Sequence, residues 1–280
     1  MLSMNNNHPF SVLMSVYKND KPEDFRIALE SVTTRQTLKP SEVVVVVDGP
    51  VLDEINSILA EAANANLDLY KIVRFEQNQG LGIALQKGLE AASNEVVMRM
   101  DSDDIAVSDR FEKQMAFMVK HPEVAVCGGQ IAEFIDSVDN VVGHRTVPCG
   151  NDEIYRYMKS RCAFNHMTVV LRRSMILGAG NYQPLFWNED FYLWVRLMVA
   201  GCKFANLPET LVNVRVGKEM YQRRGGLKYF KSEYFIQDLM RQNGIISWPR
   251  FGFNVLVRWC IQVAMPNWLR GFVFQTLFRK

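Results

Sequence analysis

The chain has 280 residues, 48% hydrophobic and 22% charged, with a formal net charge of +2; that balance suits a folded protein of one or two domains and excludes an intrinsically disordered one. Five scattered cysteines without a Cys-x-x-Cys pair exclude a disulfide framework or zinc ribbon and fit a reducing compartment. Neither a basic-then-apolar leader nor a run of about 18 uninterrupted apolar residues is present, so no signal peptide and no simple membrane span is expected.

In chain order, "FSVLMSVY" (10–17) predicts a strand. Pro22, first-turn acids and the spacing Phe25, Leu29, Val32 predict a helix after it. "SEVVVVVDGP" (41–50) holds five consecutive valines closed by Asp48 and a Gly-Pro turn, the pattern of a parallel strand buried on both faces. A helix over 51–65, a strand over 69–75, a turn and helix over 78–93 and a strand over 95–100 follow. Alternation of this kind within about 100 residues predicts an open α/β sheet, in which ligands sit beyond the carboxyl ends of the strands. Tyr17, Asp48 and Asp101 all fall at such ends.

The second half alternates less regularly. A helix ends at Pro122, and strand material over 124–148 turns at Asp136–Asn140. A short helix capped by Asn151 comes next, then "HMTVVLRRSMI" as strand into turn. "NEDFYLWVRLMVAGCKFA" (188–205) predicts a helix closed by Gly201 and then a short strand. The boundaries drawn are one continuous domain over 1–215, with halves at 10–104 and 105–215, and a helical basic-aromatic region over 216–280.

"RMDSDDI" places Asp101, Asp103 and Asp104 within four positions. Two like charges at about 4 Å repel by roughly 4 kcal/mol at an effective dielectric near 20, so a helix end, a basic partner or a cation must offset them. Gly-x-Gly-x-x-Gly, the P-loop, His-Glu-x-x-His and Gly-x-Ser-x-Gly are all absent. A divalent metal on the Asp-x-Asp turn could neutralise a bound diphosphate instead. The competing reading of that turn is a helix cap with solvated acids, and Asp104 suits a buttress. Glu189 and Asp190 open the helix of "WNEDFYLWVRL", either as acids complementing the helix dipole or with one of them serving as a general base.

Asp48 after a valine strand, the "RMDSDDI" cluster and "NEDFYLW" some 85 residues on, in that order, resemble the family 2 glycosyltransferases of the GT-A fold, above all the bacterial enzymes of O-antigen and exopolysaccharide assembly. The likeness runs from Phe10 to Arg215 and more loosely through "QRRGGLKYFKSEYF". It implies a Rossmann-like, mostly parallel sheet flanked by helices, and an inverting, Mn²⁺- or Mg²⁺-dependent transfer from a UDP-sugar. By that resemblance Tyr17 and Asp48 hold the base, Asp101 lies near the ribose and donor sugar, and Asp103, with Asp101, ligates the metal. Asp190 matches the catalytic base, with Glu189 beside the acceptor. The Gln-x-x-Arg-Trp of processive members is missing, which implies addition of a single sugar.

Several residues keep two readings. Asn78 and Gly80 shape the turn beside the nucleotide or serve as a plain turn. Arg99 suits structural pairing. His166 and Trp187 are candidates for the acceptor side, His166 also for the metal, whereas Trp194 sits at core spacing. Arg223 and Arg224 either clamp the diphosphate or are solvated.

After Asp238 the chain has six basic residues and no acid, among Trp and Phe. This composition suits peripheral contact with the cytoplasmic face of the plasma membrane, where a polyprenyl-diphosphate-linked saccharide would be the acceptor. The competing expectation is packing on protein. Nucleic acid is not expected as a partner. The alternative functions are a sugar nucleotidyltransferase, which "SVYKND" disfavours by lacking a Gly-rich loop, and a non-catalytic nucleotide-sugar-binding scaffold.

Overall fold

The computed structural model describes residues 8–217 and 225–265. Their centre is a nine-stranded sheet whose first half is wholly parallel. Strands β1 (Phe10–Val16), β2 (Glu42–Val47), β3 (Tyr70–Arg74) and β4 (Val96–Met100) stand in the order 3-2-1-4, linked by α1 (Pro22–Ser31), α2 (Asp53–Ala65) and α3 (Leu81–Ala91). The chain thus builds outward from β1 on one side, then crosses to place β4 on the other. That reversal opens a crevice at the carboxyl ends of β1 and β4.

The valine run explains itself here. Val43, Val45 and Val47 pack with Val12 and Met14 against α1, α2 and α4 (Arg110–Lys120). Val44 and Val46 join Leu13 on the opposite face, against α3 and the later helices. Both faces are covered, so no polar alternation is needed. Helix α3 lies so close to the sheet that a Cβ on Gly88 would stand 2.2 Å from Leu13 Cδ1, so any side chain there would force Leu13 and Val46 to move.

Beyond β4 the sheet turns mixed. After the two-residue β5 (Ile105–Ala106), strand β6 (Val124–Phe134) is buried along its whole length. It pairs with β7 (Val141–Arg145) and with β8 (Val170–Arg172), which is antiparallel to β4. The expected short strand after Gly201 is instead β9 (Lys203–Arg215), 13 residues long and parallel to β6 through three register irregularities. Pairing with β6 holds on either side of residues 207–209, with Asn206 opposite Gly128 and Thr210 opposite Gln130.

Two other details differ from expectation. The segment read as a turn after β8 is a short helix, α6 (Arg173–Gly178). Asn151 does not cap α5 (Asn151–Met158): Gly150 holds the cap position, and Asn151 Oδ1 accepts from the Phe204 N–H at 3.0 Å, tying the helix to β9. The second face of the sheet is completed by α7 (Glu189–Val199), α8 (Leu227–Gln242) and α9 (Trp248–Trp259), with Phe191, Trp194, Ile236, Met240 and Phe251 in one cluster. Trp194 is core, as its spacing predicts. Part of the C-terminal region therefore does pack on protein.

Candidate active site

The crevice between β1 and β4 gathers carboxylates from two loops. Ser102 Oγ donates to Asp20 Oδ2 at 2.9 Å, and the Tyr17 N–H donates to the same oxygen at 2.9 Å. Asp20 thereby fastens the Asp101–Asp104 turn to the exit of β1, beside Tyr17. Burial, reinforced by the charges of Asp103 and Asp101, pushes the Asp20 carboxyl up to about 7 despite those two bonds. Sequence reasoning missed Asp20. Its partner lies 82 residues away, so no local pattern marks the contact.

The three aspartates of the turn have different surroundings. Asp101 pairs with Arg99, whose guanidinium is buried beneath it, the structural pairing expected for that arginine. Below both sits Arg110, fully buried, donating to the Arg99 carbonyl at 2.7 Å and to Gln114 Oε1 at 3.0 Å. Burial, helped by the neighbouring Arg99 charge, pushes Arg110 down to about 9. Asp104 is buried and accepts the Arg215 N–H at 2.9 Å, so it buttresses the end of β9. Crowding on its inner side and then the Asp101 charge push Asp103 up to about 6, although solvent reaches its outer face.

These residues fit a divalent cation in a specific way. Among the described residues, no three His, Cys, Asp or Glu side chains converge as a complete metal cage. Asp101 and Asp103 can supply only part of a shell of hard oxygen donors, leaving the remaining positions to phosphate oxygens and water, the usual arrangement for magnesium with a nucleotide. Burial first, and then mutual repulsion, lifts Asp103 and Asp20, and a cation bound here would offset both.

Asp48 stands at the neighbouring strand end. Its Oδ1 accepts the Gln79 N–H at 2.7 Å, and Oδ2 accepts the Gly80 N–H and Asn78 Nδ2, both at 2.9 Å. The buried carboxylate thus holds the 78–80 turn in place, and Asn78 and Gly80 are the parts it holds. Gly49, at φ +84°, lies so near that a Cβ would sit 2.6 Å from the Asn78 backbone nitrogen, so this turn needs glycine on conformation and on space.

Across the crevice, α7 presents Glu189 and Asp190 in its first turn. A Cβ on Gly82, at the start of α3, would lie 3.2 Å from Glu189 Cβ, which shows how closely the acid pair abuts the start of α3. Burial, then the Asp190 charge, pushes Glu189 up to about 7, and the charges of Arg99 and Asp101 are felt there too. Asp190 Oδ1 accepts the Phe191 N–H at 2.6 Å. The cap residue, Asn188, spends its side chain elsewhere: Nδ2 donates to Ser232 Oγ of α8 at 2.8 Å.

His166 Nε2 lies 3.0 Å from the Tyr182 hydroxyl, and burial followed by the Arg99 charge holds its imidazole well below its usual range, hence neutral. Trp187 is 50% exposed and stacks on Phe186 at 4.6 Å between ring centres. Its φ of +54° is a strained conformation for a bulky residue, of the kind that gathers at ligand sites. Arg223 and Arg224 lie outside the described residues.

A family model described as "Glycosyl transferase family 2" matches residues 11–178, and a second, "Glycosyl transferase family group 2", matches 96–277. The amylovoran biosynthesis glycosyltransferase AmsE of Erwinia amylovora is 41% identical over 240 residues, 85% of this chain and 88% of that protein. An Escherichia coli protein named UDP-Gal:alpha-D-GlcNAc-diphosphoundecaprenol beta-1,3-galactosyltransferase is 34% identical over 97% of both chains. Among solved structures, S. aureus TarS 1-349 in complex with UDP-GlcNAc superposes with a TM-score of 0.66 at 18% identity, over 90% of this chain and 72% of that one. The fold is accordingly of the GT-A type, a sheet with flanking helices and a helical C-terminal region. This chain is a glycosyltransferase and belongs to glycosyl transferase family 2.

Proposed function

We propose that this enzyme inverts the anomeric centre as it moves one hexose or N-acetylhexosamine from a UDP-sugar to a polyprenyl-diphosphate-linked saccharide, in O-antigen, capsule or exopolysaccharide synthesis. The observation that carries the reading is the acid pair Glu189–Asp190 facing the Asp101–Asp103 turn across the crevice at the strand-order switch, with the charges of both sides felt at Glu189. The names of the E. coli relative and of the TarS complex support UDP as the carrier and a lipid-linked acceptor.

Tyr17 and the turn held by Asp48 and Asn78 flank the nucleobase. Asp101, fixed by Arg99, faces the ribose and the transferred sugar. Asp103, with Asp101, would hold Mn²⁺ or Mg²⁺, which when bound neutralises the departing diphosphate. Asp190 takes the proton from the acceptor hydroxyl as its oxygen bonds to the anomeric carbon and the bond to the diphosphate oxygen breaks; one displacement inverts the centre. Glu189, with its carboxyl at about 7, exchanges a hydrogen bond with the acceptor. His166, held neutral, lines the same wall rather than adding a cation, and Trp187 offers its exposed ring to an acceptor sugar face. Arg223 of the 218–224 segment is assigned to the diphosphate on sequence alone. The acceptor's lipid sets the location: the cytoplasmic face of the plasma membrane, with peripheral contact through the C-terminal region and the catalytic domain ending near residue 215.

UDP-sugars screened against a polyprenyl-diphosphate-linked GlcNAc analogue, with Mn²⁺ and then with chelator, test this reading. Metal-dependent transfer with inversion is expected. Pyrophosphate release from UTP and a sugar phosphate, with no transfer, would overturn it in favour of a nucleotidyltransferase.

A further inference from the structure

Helix α9 is built inside out. An amphipathic helix on a water-soluble protein turns its apolar stripe inward and its polar residues outward. In α9 the inward side carries Asn254 and Arg258 alongside Phe251. Asn254 Nδ2 donates to the Lys159 carbonyl and to Gln237 Oε1, both at 2.8 Å. Arg258 pairs with the buried Glu233 at 2.6 Å and donates to the Ser160 carbonyl at 2.6 Å. The outward side carries Trp248, Phe253, Leu256, Val257 and Trp259, with Phe253 and Leu256 each 60% exposed and Trp248 67% exposed. Arg250 is the one charged residue on that side among the described residues. A whole helical face of large apolar groups left to water is the mark of an interaction surface.

The chemistry of the surroundings selects the occupant. The outward face has a tryptophan at each end, the residue that favours the boundary between headgroup and acyl chain. No acidic residue follows Asp238, while the sequence after Met265, "PNWLRGFVFQTLFRK", adds three cations and four aromatics. Exposed apolar groups on a stretch of sequence whose charges are all cationic match an anionic phospholipid surface. Among the described residues no helix is long and apolar enough to cross a membrane, and α9, with 12 residues, is suited to contact along its length.

We infer that the outward face of α9 is the surface on which this protein rests on an anionic phospholipid bilayer, the helix axis in the interfacial plane. The inference rests on the membrane location proposed above, and it adds an orientation. The turn at the end of α9 is joined to the start of α8, where the Gly226 N–H donates to the Gln262 carbonyl at 2.9 Å. Ser232 of α8 in turn holds Asn188, the cap of the helix that presents Glu189 and Asp190. A protein lying on α9 therefore keeps the acid pair in fixed register with the surface from which a lipid-linked acceptor rises.

Cosedimentation of the full chain with vesicles of phosphatidylglycerol and phosphatidylcholine in equal parts, and of phosphatidylcholine alone, tests this. The double variant Phe253→Glu/Leu256→Glu changes two exposed side chains, so its melting temperature should match wild type. Its partition onto the mixed vesicles should fall on the order of a hundredfold, and wild-type binding should weaken without phosphatidylglycerol and in high salt. The variant should keep wild-type transfer to a water-soluble, short-chain acceptor and lose transfer to a long-chain acceptor in vesicles. Unchanged vesicle binding in the variant, or a wild-type dimer that this variant converts to monomer, would overturn the inference. Wild-type transfer without vesicle binding would defeat the surface and leave the function intact; vesicle binding without transfer to any lipid-linked saccharide would do the reverse.

Discussion

The carboxylate crevice makes the protein alone less stable as pH rises through the weakly acidic range. Asp20 moves from 3.8 to about 7 and Glu189 from 4.5 to about 7 on folding, each chiefly through burial. Between roughly pH 4 and 7 the folded state therefore binds more protons than the unfolded one, and stability falls with increasing pH. At about 1.4 kcal/mol per unit, the two groups set a ceiling of about 8 kcal/mol. Both side chains are only half-buried, and solvent screening brings that to about 2–4 kcal/mol. Asp103 and Asp104 act in the same direction. For a chain of this size that is a fall in melting temperature of roughly 5 °C between pH 5 and pH 7.5. Differential scanning fluorimetry without ligand measures it directly. Asp20→Asn still accepts the Tyr17 and Ser102 bonds but has no charge to titrate, so it and Glu189→Gln should each flatten the slope. UDP with Mn²⁺ should raise the melting temperature more at pH 7.5 than at pH 5, because the carboxylates proposed to ligate the metal are then ionised. A melting temperature that is flat or rises over this interval, unchanged by Asp20→Asn, would refute the reasoning.

Arg99→Met should remove the cation under Asp101 and cost about 3 kcal/mol in urea unfolding, the lower end for breaking a buried pair, with Arg99→Lys recovering part of it. Trp187→Gly should relieve the left-handed strain and stabilise the fold by about 1 kcal/mol, while raising KM for the acceptor and leaving KM for the donor near wild type; donor KM rising instead would remove Trp187 from the acceptor side.

Much of this was legible because the signals are local. Five adjacent valines can satisfy only a strand covered on both faces, and the sheet covers them. Strand ends are marked by a change from apolar to acidic residues, so Asp48 and Asp101 could be placed before any coordinates. Asp20 could not, since its value lies in a bond to Ser102 that only the crossover brings near. The three bonds that Asp48 accepts from the 78–80 turn are hidden for the same reason. The length of β9 was hidden because its pairing with β6 passes over residues 207–209 and resumes through register irregularities that no local pattern marks. The C-terminal composition announced an unusual surface but not its direction. Sequence alone cannot tell that Asn254 and Arg258 turn inward, because their partners Lys159, Ser160 and Glu233 come from other elements.

The central claim is that Asp190 takes the acceptor proton opposite a diphosphate held at Asp103. Single-turnover transfer from a UDP-sugar by wild type, Asp190→Asn and Asp103→Asn measures it most directly. The account predicts a fall of about 10²–10⁴ in the transfer step for Asp190→Asn with donor binding retained, and loss of the Mn²⁺ response for Asp103→Asn. Wild-type transfer rates and metal response in both variants would contradict it.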